Sequence, residues 1–493
     1  MMMFRSLLLF ILLITGLNAF ADPPVVKTKK GFIRGLQEQR SLVFKGIPYA
    51  KPPVGKLRFK APEPAENWKD TLACDHFGNV ALQGADDAKG YRGSEDCLTL
   101  NVYTPVADKK AKLPVVVWVH GGAMTSGSGI GMNGHAFADR DSIVTVTINY
   151  RLGVFGFMYL GDVDKQYAKS GNNGLLDLIM ALKWIKQNIK AFGGDPSMVT
   201  VMGESAGAKL TSTLLLAPQA KDLFHQLVLE SGAVQCVRDS TTAKVIRQRL
   251  MDQLHITKAA DLLTLPEEQL IAAQKVILKG AAGTNYFGPV QDGEVITGDP
   301  YADVRKQNFK NKRFLIGSNK SESRSFINAD PRLKSPTDKA LQDWYGLNDK
   351  YVKVAYEKER QMSATDSLAA GKVLTQYMYQ MHSYRLAAAL SESGDKVWMY
   401  RFDYSKNSDG AAHAEELAYV WYVPGEKRAG FNDSLAVNMH QAWVNFIKGR
   451  KLSWPMYHLA DKTVMVYDNV SRPVSLKEVY DDKNYPSAGF LLK

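Results

Sequence analysis

Apolar and polar positions along this chain follow two alternating rhythms. "LPVVVWVHGG" (113–122) and "SIVTVTINYRLG" (142–153) are almost continuously apolar, the pattern of strands covered on both faces, and "LTLNVYTP" (98–105) precedes them as a further strand. Leu175, Leu178, Leu182, Ile185, Ile189 and Phe192 then recur at helical spacing, with Gly193-Gly194 as the stop. Val199, Val201 and Gly203 read as a short buried strand, followed by a helix over Ala208–Leu216 that Pro218 closes. "HQLVLESG" (225–232), "KRFLIGSN" (312–319) and "KVWMYRFDY" (396–404) are further strands, and "LAVNMHQAWVNFIKG" (435–449) is a helix with a glycine stop. Strand followed by helix, repeated, predicts a doubly wound α/β sheet. Residues 241–280 and 335–395 carry amphipathic patterns that predict helical insertions over it. Near the N-terminus, short β-prone runs broken by Lys-Gly and Arg-Gly predict antiparallel edge strands and then a Pro-rich loop. No repeat period and no linker divides the chain, so residues 22–493 are expected to form a single unit.

Composition changes this picture at three places. The first residues combine a basic Arg5, an apolar run and Ala19-Phe20-Ala21, which reads as a secretory signal over 1–21 cleaved after Ala21. The expected location is periplasmic or secreted, with no membrane anchor. Three cysteines suit an oxidising compartment with one disulfide, expected between Cys74 and Cys97 across a loop rich in Gly, Asp and Ala, and Cys236 left as a buried free thiol. The net charge of +12 comes from Lys and Arg scattered along the chain, with no arginine-rich stretch, which speaks for a basic surface and against nucleic acid as a partner.

Candidate chemistry centres on "GESAGA" (203–208), where Ser205 stands between Gly203 and Gly207 at the change from strand to helix. A sharp turn there strains the serine backbone and leaves room only for small neighbours, while aiming a helix N-terminus at charge developing beside the hydroxyl. A nucleophile on such a turn needs an acid, a base and an oxyanion hole, the acid preceding the base along the chain. Glu322 follows the apolar strand of "FLIGSNKSESRSF", and His413 sits in a Gly/Ala-rich loop directly after "VWMYRFDY". The strand ending at His120 feeds Gly121-Gly122-Ala123, whose main-chain N–H groups supply a candidate oxyanion turn.

These pieces, with "FKGIPYAKPPVGKLRFKAPEP" (44–64), "SEDCLTLNVYTP" (94–105), "NYRLGVFGF" (149–157) and "PVQDGEVI" (289–296), resemble the type B carboxylesterases, cholinesterase-like α/β hydrolases, and among them the bacterial para-nitrobenzyl esterases. The resemblance implies an α/β-hydrolase fold: a large, mostly parallel sheet with helices on both faces and helical insertions over a cleft. It implies a Ser205, Glu322 and His413 triad, oxyanion donors at the N–H groups of Gly122, Ala123 and Ala206, and supporting roles for Glu204 and Ser231. It also implies the Cys74–Cys97 disulfide. Ala123 stands where the family often has a third glycine, and Ser323 and Ala414 replace glycines often found after the acid and the histidine. The loop between the two cysteines has no Trp to hold a quaternary ammonium, which speaks against acetylcholine. The reading is a serine carboxylesterase acting on a small ester without metal or cofactor, as a monomer or weak dimer. The same machinery would serve an amidase, lactonase or thioesterase, whereas an adhesion protein of this fold would have lost the nucleophile that Ser205 retains.

Overall fold

The computed structural model describes residues 23–85, 87–280, 282–309, 312–406, 410–425, 430–476 and 479–493, so the signal segment expected over 1–21 lies outside the described residues. An eleven-stranded sheet runs through the molecule. Its strands in chain order are β1 (Leu36–Glu38), β2 (Ser41–Pro48), β3 (Thr99–Thr104), β4 (Leu113–Val119), β5 (Val144–Ile148), β6 (Gly194–Glu204), β7 (Gln226–Glu230), β8 (Arg313–Asn319), β9 (Lys396–Phe402), β10 (Thr463–Tyr467) and β11 (Arg472–Ser475). Across the sheet the order is β11-β10-β9-β8-β7-β6-β4-β5-β3-β2-β1. Every pair from β5 to β10 is parallel, and the pairs at the two margins are antiparallel. The edge strands expected at the N-terminus are β1 and β2, beside a separate small sheet of Val25–Lys27, Phe32–Arg34 and Leu72–Ala73.

The continuous apolar runs have a direct physical outcome. Successive side chains of a strand point to opposite faces, and here both faces are dry. Val115, Val117 and Val119 of β4 join one apolar cluster, while Val116 and Trp118 join another on the opposite face. Leu227 and Leu229 divide from Val228 in the same way, as do Phe314 and Ile316 from Leu315. Helix α1 (Asn173–Asn188) packs its leucines into the first cluster, and α2 (Ala206–Ser212) follows β6. The second cluster holds Trp443 and Phe446 of a late helix, Asp433–Ile447.

Both predicted insertions are helical. The first contains α3 (Ser240–Leu254) and α4 (Glu267–Ile277). The second contains α5 (Asp338–Tyr345), α6 (Asp349–Arg360), α7 (Asp366–Thr375) and α8 (Met381–Glu392), with a single π-helical turn at Gln376–Gln380 between the last two. Asp239, Thr337 and Thr365 cap α3, α5 and α7 by accepting from the N–H groups of Thr242, Ala340 and Leu368. The second insertion has an apolar cluster of its own, with Leu341, Trp344, Val352, Val373 and Tyr377 among its members.

The expected disulfide is not formed: Cys74, Cys97 and Cys236 are all buried free thiols. The two segments have different backbone partners. Cys74 accepts through its carbonyl from the Lys45 N–H (2.8 Å), whereas the segment leading to Cys97 is paired with Val80 and Ala81, the Ser94 N–H donating to Val80 at 3.0 Å. Ala81, not Cys74, is the residue bridged to that segment. Burial pushes the Cys74 thiol up to about 12, so it stays protonated and inert.

Candidate active site

Ser205 follows the last residue of β6 and precedes α2. Its φ of 54° lies in the left-handed region, a strained position for a non-glycine residue. The flanking glycines make the turn feasible. A Cβ on Gly207 would sit 2.0 Å from the Val119 carbonyl oxygen, and one on Gly203 would sit 2.5 Å from the Gly207 carbonyl carbon. The turn is pinned by the Ser205 N–H donating to the Glu230 carbonyl at 2.9 Å.

Three loops from three strands meet over this serine. The His413 loop follows β9, and His413 Nε2 lies 2.8 Å from Ser205 Oγ. Glu322, just past β8, brings Oε2 to 2.6 Å from His413 Nδ1. Its other oxygen accepts from the Ser231 hydroxyl (2.5 Å) and from the Asn319 N–H (2.7 Å), which fix the fully buried carboxylate in one orientation. Ser231 leaves β7 with φ 55° and hangs by its N–H from the Gly317 carbonyl of β8, at 2.9 Å.

The glycine loop after β4 packs directly on the serine: a Cβ on Gly121 would be 3.3 Å from that of Ser205. Gly122 (φ 106°) and Ala123 (φ 56°) are both left-handed. For Ala123 this costs about 1 kcal/mol relative to glycine, so the replacement of a glycine there carries strain. Among the described residues, the N–H groups of Gly122 and Ala123 have no protein acceptor, nor has that of Ala206 at the start of α2. His120 beneath them is stacked on Tyr150 with ring centroids 4.5 Å apart, and burial lowers its pKa to about 4, so it is neutral. Ala414 is also left-handed (φ 66°), whereas Ser323 has an ordinary φ of −68°.

Glu204 Oε1 comes within 3.2 Å of His413 Nε2, outside hydrogen-bonding geometry. Burial first, and then the charge of Glu322, raises Glu204 well above the usual carboxylate range. Two further buried carboxyls belong to the surroundings, and sequence reasoning missed both. Glu230 accepts from the Trp443 indole N–H at 2.7 Å. Glu416 accepts from the Asn319 amide, and burial followed by the charges of Glu204 and Glu322 pushes it up to about 8. Its place three residues after His413 was the only available signal. Tyr379 was also missed: its ring lies 4.6 Å from that of His413, and its hydroxyl 3.4 Å from Nε2. Nothing in the sequence links the two, because the π-helical turn that carries Tyr379 leaves no periodic trace. Among the described residues no group of three His, Cys, Asp or Glu side chains could hold a metal ion, and no helix is long and apolar enough to cross a membrane.

The carboxylesterase family model matches residues 22–477. The para-nitrobenzyl esterase of Bacillus subtilis is 34% identical over 478 residues, covering 90% of this chain and 95% of its own. Liver carboxylesterase 1F of Rattus norvegicus is 30% identical over 535 residues, covering 93% and 92%. Among solved structures, a carboxylesterase of Geobacillus stearothermophilus superposes with a TM-score of 0.82 at 35% identity, over 92% of this chain and 98% of that one. A PNB esterase gives a TM-score of 0.80 at 32% identity, with the same coverage of both chains.

Proposed function

The chain belongs to the carboxylesterase family and is a carboxylic-ester hydrolase with the α/β-hydrolase fold; we propose that it works through an acyl-enzyme on Ser205. The observation that carries this reading is the continuous relay from Ser205 Oγ to His413 Nε2 (2.8 Å) and from His413 Nδ1 to Glu322 Oε2 (2.6 Å). His413 takes the serine proton as general base while Oγ attacks the ester carbonyl. The tetrahedral oxyanion forms beside the N–H groups of Gly122, Ala123 and Ala206, each donor of this kind being worth roughly 3 kcal/mol of barrier. Glu322 keeps the Nδ1 proton in place and stabilises the imidazolium, with Ser231 and the Asn319 N–H holding the carboxylate still. His413 then gives its proton to the leaving alcohol, and water enters to repeat the two steps on the acyl-enzyme. The substrate is a small-molecule ester.

The test is turnover of para-nitrophenyl esters from acetate to laurate by the wild-type protein and a Ser205→Ala variant. Wild-type turnover that the variant loses supports the covalent mechanism, and the optimum chain length sizes the acyl pocket. Equal turnover in both would remove Ser205 from the chemistry.

A further inference from the structure

Next to the triad lies a cavity whose wall is positively charged and contains no acid. Lys209 and Arg238 line it, together with Tyr345, Tyr379 and His382, and no Asp or Glu is among its lining residues. Lys209 is one helical turn beyond the nucleophile, its N–H donating to the Ser205 carbonyl at 2.9 Å. Its ammonium sits 4.7 Å from the centre of the Tyr379 ring, the ring that also touches His413. Among the described residues neither cation has a carboxylate within ion-pair distance. Arg238 is buried and spends Nε and Nη1 on the carbonyls of Asn285 and Gln235 (2.9 and 3.1 Å).

Buried cations are ordinarily paired, because a desolvated charge without a partner is costly. Here desolvation is the largest influence on both groups, lowering Lys209 to about 8 and Arg238 to about 10, and Lys209 also feels the charge of Arg238. Cys236, the nearest thiol, is held neutral by burial at about 11. The same wall carries two buried polar atoms that have no partner among the described residues, the Tyr345 hydroxyl and His382 Nε2. The Tyr301 hydroxyl lies 3.1 Å from Nδ1 of His382 and donates to the His382 carbonyl at 3.3 Å, while Nε2 has no partner among the described residues. Two cations and two orphan polar groups around one space are the complement of a single small anion. The free volume is about 20 Å³, room for a water-sized polar group.

We infer that this cavity is a carboxylate-recognition subsite and that the preferred substrate is an ester bearing a free carboxylate. The inference rests on the esterase reading of Ser205 and adds the substrate class to it. Lys209 is then the specificity residue, reaching from the nucleophile's own helix toward the charged end of the substrate. Arg238, held by two carbonyls, is the fixed wall of the subsite.

Two matched substrate pairs test this. Mono-para-nitrophenyl adipate against para-nitrophenyl hexanoate places the charge on the acyl side, and meta-acetoxybenzoate against phenyl acetate places it on the leaving group. In at least one pair the wild-type protein should favour the anionic member in kcat/KM. Lys209→Met should lower that anionic-to-neutral ratio by about ten- to a hundred-fold, the range for a charge-assisted hydrogen bond, and Lys209→Arg should restore much of it. A ratio unchanged by Lys209→Met in both pairs overturns the subsite. So does an equal fall in both members of each pair, which would leave Lys209 only balancing Glu204 and Glu322. Calorimetric titration of adipate into the full-length Ser205→Ala protein needs no turnover, with hexanediol as the neutral control. Adipate binding that Lys209→Met weakens supports the subsite, and no difference between adipate and hexanediol sinks it. Absence of wild-type turnover on neutral esters as well would instead tell against the esterase reading.

Discussion

Glu322 shows what a single side chain does by being immobile. Both of its oxygens are committed, one to His413 and one to Ser231 and the Asn319 N–H. Glu322→Gln preserves shape and can still accept from Ser231, but it presents an N–H₂ to Nδ1 and selects the wrong imidazole tautomer. The expected loss is roughly 10³–10⁴-fold in kcat with the fold retained, by analogy with the triad-acid amide variant of serine proteases. Ester turnover and near-ultraviolet circular dichroism on the same preparation check both halves. Ser205, Glu322 and His413 were legible in the sequence because each sits in a loop directly behind an apolar strand. Lys209 was not, since a lysine in a helix ordinarily reads as a solvated surface residue and only the packing of Tyr379 over it says otherwise. The cysteines misled for the opposite reason: loop composition says nothing about which residues a bridge opposes, and both thiols are buried and free.

At the scale of elements, the register between β4 and β6 does the positioning. Gly203 pairs with Val119, so the nucleophile turn and the oxyanion loop leave the sheet side by side. Helix α2 can sit this close to β4 only because Gly207 has no side chain. Gly207→Ala should drive the start of α2 away from the Val119 carbonyl, costing about 1–3 kcal/mol or more of stability and most of the turnover. Urea unfolding and hydrolysis of para-nitrophenyl acetate measure the two effects, and a variant with wild-type values in both would refute the close-packing argument. The strands and the long helices could be read from periodicity. The helix expected over Ala208–Leu216 instead begins at Ala206 and tightens to a 3₁₀ turn from Thr213, an adjustment that apolar spacing does not encode. The π-helical turn at Gln376–Gln380 is similarly silent, yet it turns the consecutive residues Tyr377, Met378 and Tyr379 onto one cavity wall.

For the whole molecule, the buried carboxyls link folding to pH. Glu204, Glu230 and Glu416 are all raised, chiefly by burial, with Glu416 at about 8 against an ordinary 4.5. The folded state therefore holds these protons more tightly than the unfolded chain. For Glu416 this contribution to stability is fully present below about pH 4.5 and is lost as pH rises through about 8. The +12 surface charge acts in the other direction, because repulsion among cations eases as pH rises, so the comparison must be internal. Unfolding midpoints across this range should fall less steeply with rising pH in Glu416→Gln than in the wild type. Parallel slopes would show that Glu416 does not titrate there. The large parallel sheet was evident from the sequence, because its apolar runs need cover on both faces. The carboxyl cluster was not, because it assembles from the ends of β6 and β7 and the segment after β9 only when the sheet forms.

The second insertion owns a core built from residues between Ile327 and Met381 together with Tyr485, sharing no member with the clusters on the sheet. Inheritance of the two parts is therefore partly uncoupled. Mutations that repack α6 act inside this core, whereas α7 holds Ser323 beside Glu322 through Gly371 and Thr375 (2.7 and 3.0 Å), and Phe326 joins Trp344 of α5 to the His413 ring. A lineage, or a directed-evolution library confined to this stretch, can explore new acceptors for the same cutting edge, with the π-helical turn and the Ser323 contacts of α7 among the places where the two histories must agree.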